Sequence, residues 1–81
     1  MNWKSKPYNG YKNWQFWNVS LWINNDEGLY TFCRDLVNQY KNKDKAARAF
    51  MESLNELGIK DKTPDGAKYT ISAVRAAMVG M

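Results

Sequence analysis

Aromatic and basic side chains alternate at the start of the chain, in Trp3-Lys4, Lys6-Pro7-Tyr8 and Tyr11-Lys12. The chemistry this suits is non-covalent: rings stack on single-stranded bases while Lys4, Lys6 and Lys12 meet phosphates. A second basic run, Lys41, Lys43, Lys45 and Arg48, is diluted only by Asp44 and suits an acidic protein surface. No recognised nucleic-acid motif accompanies either run, and the three arginines are not clustered. A third group, Trp14, Phe16, Trp17 and Trp22, crowds three tryptophans and a phenylalanine into nine residues. Large rings at that density build either a core seam or protein-binding anchors, since Trp and Tyr dominate interface hot spots.

Covalent chemistry is poorly provided for. The chain has no histidine, which removes the usual general base near neutral pH, the Ser-His and Cys-His nucleophile pairs and the commonest metal ligand. Cys33 is the only cysteine, so neither an internal disulfide nor a cysteine-built metal site can form, and a cytoplasmic setting is expected. Asn18, Asn24, Asn25, Asp26 and Glu27 lack the alternating acids of an oxygen-ligand cation loop and read as helix caps. The expectation is a protein that is not an enzyme and carries no cofactor and no metal.

Positioning these groups falls to a chain of 81 residues with a net charge of +4. A chain this short buries only about 60% of its unfolded surface, so large side chains matter disproportionately. Ten of the twelve aromatic residues precede position 41, which fits that need. No apolar run approaches the ~20 residues needed to span a bilayer, and the lysine-bearing start lacks the apolar region of a signal peptide. A single domain over residues 1–81 is expected, with an extended aromatic arm over 1–12 and a helical body over 13–81.

Within the body, 14–23 places apolar residues over most of a cylinder and is read as a helix capped by Asn13, although its alternating Trp17, Val19, Leu21 and Ile23 also suit a strand. Asn24 or Asn25 then caps a second helix running to about Tyr40, with Glu27 in capping-box spacing and a stripe of Leu29, Phe32, Cys33, Leu36, Val37 and Tyr40. A third helix is expected over 44–57, with Ala47, Phe50, Met51, Leu54 and Leu57 inward and a stop at Gly58. After the polar turn Thr63-Pro64-Asp65-Gly66, a last helix starts near Thr70 or Ser72 and turns Ile71, Val74, Ala77 and Met78 to one side. The fold class is therefore all-α, a compact bundle of about four short helices.

The stretch NWQFWNVSLWINNDEGLY, residues 13–30, resembles a family of small uncharacterised proteins encoded largely by bacteriophages and their bacterial hosts, with the pattern N-[YW]-x-T-W-N-V-x-L-W-[IL]-x-N-D-x-x-L-Y. The matching residues are Asn13, Trp14, Trp17, Asn18, Val19, Leu21, Trp22, Ile23, Asn25, Asp26, Leu29 and Tyr30. Phe16 stands where the family usually carries Thr. The resemblance implies a phage-type accessory protein and brings no activity with it. Combined with the residues above, the expected function is binding and inhibition or redirection of a host protein. Trp3, Tyr8, Tyr11, Trp17 and Trp22 are the candidate anchors, and Lys41, Lys43, Lys45 and Arg48 the candidate charges. Nucleic-acid binding through Lys4, Lys6 and Lys12 and self-association as a homodimer are the alternatives to a monomer with a host-protein partner.

Overall fold

The computed structural model describes residues 11–81, and it is all-α, with four helices and no strand among the described residues. They are α1 (Trp14–Asn25), α2 (Glu27–Tyr40), α3 (Lys43–Glu56) and α4 (Ile71–Ala77). The helix reading of α1 holds, and Asn13 caps it, its side chain accepting from the Phe16 N–H at 3.0 Å. No helix is long and apolar enough to cross a membrane among the described residues.

The junctions differ from expectation in instructive ways. Asn24 and Asn25 do not cap α2, because both are still helical in α1, where Asn24 Nδ2 donates to the Ser20 carbonyl at 2.8 Å. Asp26 alone leaves helical geometry. Its N–H closes α1 on the Trp22 carbonyl, and its side chain opens α2 by accepting from the Leu29 N–H at 3.0 Å. One extended residue with a short carboxylate thus serves as both caps, and its charge suits the N-terminal end of the α2 dipole. Lys41 ends α2 at φ 57, the left-handed conformation more often given to glycine. Asn42 caps α3, its side chain accepting from the Lys45 N–H at 3.1 Å. At the last helix the choice falls on Thr70, whose hydroxyl accepts from the Ala73 N–H at 3.1 Å.

Each helix packs on its neighbours in sequence, and α4 returns to close the ring on α1, so that α1 contacts α2 and α4, and α3 contacts the same two. Small residues line the seams, with Ala46, Ala47, Ala73 and Ala77 buried. Phe50 fills the centre, its ring 5.8 Å from those of Phe32 and Tyr69. Fully burying such a ring is worth about 1.5–3 kcal/mol before any cavity penalty. Cys33 is buried as well, and desolvation pushes its thiol up to about 12, so it is a neutral packing group.

From α1 the fully buried residues are Asn18, Val19, Ser20 and Ile23. The three tryptophans of this helix are half-buried, and only Trp14 and Phe16 among its bulky rings pack against the core cluster. The crowded aromatic stretch is thus not a simple core seam.

Candidate functional site

Three faces of α1 meet three different surroundings. The first takes Gln15, Asn18 and Trp22, spaced three and four apart and therefore in one stripe. All three reach the loop between α3 and α4. Thr63-Pro64-Asp65-Gly66 is a tight turn, closed by the Gly66 N–H on the Thr63 carbonyl at 2.9 Å and by the Thr63 N–H on the Ala67 carbonyl at 2.8 Å. Gly66 sits at φ 93, where a β-carbon would be strained.

That turn presents two side chains to the stripe. The Thr63 hydroxyl donates to Asn18 Oδ1 at 2.6 Å and accepts from the Ala67 N–H at 3.0 Å. Asp65 Oδ2 accepts from Asn18 Nδ2 at 2.8 Å and from the Trp22 indole N–H at 2.9 Å. Gln15 Nε2 adds a bond to the Lys68 carbonyl at 2.7 Å. Asn18 is 1% exposed and Thr63 4%, so each needs the other to avoid an unsatisfied buried group. The two hydrogen bonds, from Asn18 first and Trp22 second, hold the Asp65 carboxyl below the usual carboxylate range. Asn18, read from sequence as a cap, is the centre of a latch between residues 45 and 47 positions apart. Trp22, a candidate anchor, spends its polar atom inside the chain.

The second face carries Tyr11, Trp17, Ser20 and Leu21 around a shallow cleft of about 190 Å³, where Tyr11 and Ser20 share a hydroxyl–hydroxyl bond of 2.8 Å. Tyr11, a candidate anchor from sequence, is therefore pinned to α1.

The third face opens on a larger cleft of about 430 Å³. Its floor is the outer side of α4 and the turn after it, Ser72, Arg75, Ala76 and Val79, again at three- and four-residue spacing. Lys12 and Phe16 stand on one side and Lys43, the first residue of α3, on the other. The Lys12 ammonium lies 5.7 Å from the centre of the Phe16 ring, a cation–π arrangement. Among the described residues, the lining holds three cations and no acid. Val79, at 72% exposed, adds apolar surface at the rim. A floor that sets Ala76 and Val79 beside Ser72 and Arg75, under charges of one sign, attracts an anion that carries an apolar anchor.

The sequence candidates are distributed unevenly around this cleft. Lys12 and Lys43, assigned from sequence to two separate basic runs, converge there. Lys45 does not, because two residues along a helix turn it through about 200° from Lys43. Arg48 is tied to Asp44 at 3.1 Å, an exposed pair of small energetic weight. Lys41 sits at the left-handed end of α2. Trp3, Lys4, Lys6 and Tyr8 lie outside the described residues. Ser72 and Arg75 were missed: one was weighed only as a cap, and the other is a lone arginine among alanines. No group of three or more acids, histidines or cysteines is placed to hold a metal ion among the described residues.

Residues 4–81 match a family of unknown function, DUF7249, and the chain belongs to that family. No curated protein and no solved structure matches it.

Proposed function

We propose that the protein is a non-catalytic binding protein that takes an acidic segment of a partner protein into the Lys12–Lys43–Arg75 cleft. The observation that carries this reading is the convergence of three cations from three parts of the chain around Phe16, Ala76 and Val79, with no acid in the lining among the described residues. Ala76 and Val79 suit an aliphatic or aromatic side chain flanked by carboxylates. Among the described residues, a nucleic-acid strand would find one ring there, Phe16, with Lys12 already over it. The phage character of the 13–30 motif adds the setting: the partner belongs to the bacterial host, and occupying its acidic segment inhibits or redirects it from the cytoplasm.

The test uses fluorescence anisotropy with two labelled probes of equal charge, an Asp/Glu-rich peptide containing one leucine and a single-stranded oligonucleotide. The peptide binds the wild type, and Lys43→Glu with Arg75→Glu weakens it by roughly ten-fold or more. Binding of the oligonucleotide alone, with a steep salt dependence, replaces this reading with nucleic-acid recognition.

A further inference from the structure

The end of α3 carries an apolar feature that the local fold does not require. Gly58, at φ 68, turns the chain, and the Ile59 N–H returns to the Leu54 carbonyl at 3.0 Å. This helix-ending motif brings Ile59 against Leu54 as a matter of course. It gives no role to Leu57 at the cap, which is 71% exposed, and it leaves Ile59 51% exposed. Beside them a groove of about 390 Å³ is lined by Met51, Leu54, Asn55 and Ile59 together with Lys60 and Asp61. Leu57 was expected on the inward stripe of α3; instead the turn at Gly58 leaves it facing outward.

We infer that this patch is a two-fold interface with a second copy of the chain. Two-fold contacts place the same surface on both sides, so the surface must complement itself. Lys60 and Asp61 are adjacent, opposite in sign and exposed, so a two-fold axis past this pair sets Lys60 of each copy against Asp61 of the other. Leu57 and Ile59 then cover the groove of the facing copy. The basic cleft cannot serve this purpose, since three cations and no acid repel their own image. The dimer carries two such clefts, which suits a partner with repeated acidic segments.

Sedimentation equilibrium across micromolar to millimolar protein tests the inference. The mass rises from one chain toward two. Leu57→Glu weakens the dimer by roughly ten-fold or more, with an unchanged helical circular-dichroism signal because the site is solvent-facing. Lys60→Glu weakens it too, and Lys60→Glu combined with Asp61→Lys restores it, which only a self-complementary contact does. A single-chain mass throughout the range overturns the inference, as does a dimer indifferent to Leu57→Glu and Lys60→Glu. None of these substitutions touches the basic cleft, so the peptide assay above reports on that reading separately.

Discussion

Two faces of one helix spend their polar groups in opposite ways. On the Gln15, Asn18 and Trp22 stripe, each of the three side chains has a polar partner within the chain, and Asp65 answers two of them at once. On the Lys12 and Phe16 side, the cations of the cleft meet no acid in its lining among the described residues. The first arrangement consumes recognition groups to hold a loop; the second leaves them available. The difference separates a stripe that builds the fold from a surface that can bind, although both draw on side chains of α1.

Breaking the latch therefore costs stability, and the cost scales with burial. Asn18→Ala removes both amide bonds and strands the buried Thr63 hydroxyl, so denaturant unfolding shows a loss of about 2–3 kcal/mol. Thr63→Val removes the bond to Asn18 and the one accepted from the Ala67 N–H and costs about 2 kcal/mol, and the double variant falls short of the sum because the two residues share one bond. Trp22→Phe keeps a smaller aromatic ring at a half-buried position and loses a bond to an exposed carboxylate, so its effect on the midpoint is smaller than either. If Trp22→Phe exceeds Asn18→Ala, the stripe works through ring packing and the latch account is wrong.

Acid sharpens the same comparison. The Asp65 carboxyl is held low by Asn18 and Trp22, so the folded state favours its ionised form. That contribution is complete above the unfolded value, near 3.9, and is lost as the pH falls through the lower folded value. Wild type and Asp65→Asn accordingly differ most in thermal midpoint above about pH 4, and the gap narrows below it. The smallest stability effect belongs to the other face: Lys43→Glu with Arg75→Glu changes unfolding by no more than about 0.5 kcal/mol per site, while abolishing most peptide binding.

Much of this architecture is legible in the sequence. The three- and four-residue periodicity of Cys33, Leu36, Phe50, Leu54, Val74 and Met78 places the core, and Asn13 and Thr70 mark helix starts. What escaped was contact between distant positions. Nothing in Asn18 or Asp65 alone announces a pair 47 residues apart, and a buried asparagine within a helix reads locally as a weak helix former. The cleft was hidden for the same cause: Lys43 lay in a run whose other members face elsewhere, and Arg75 had no basic neighbour in sequence. Capping by Asp26 was missed because two asparagines before it carry the stronger local signal.

The central claim, that the motif stripe serves the fold and the cleft serves the ligand, is tested most directly by a heteronuclear NMR titration with the acidic, leucine-containing peptide. The Trp22 indole N–H is a built-in reporter of the latch. The account predicts shifts at the amides of Lys43, Ser72, Arg75 and Val79, with the Trp22 indole signal unmoved. Movement of the Trp22 indole with the α4 amides unchanged would contradict it and make the tryptophan stripe the binding surface.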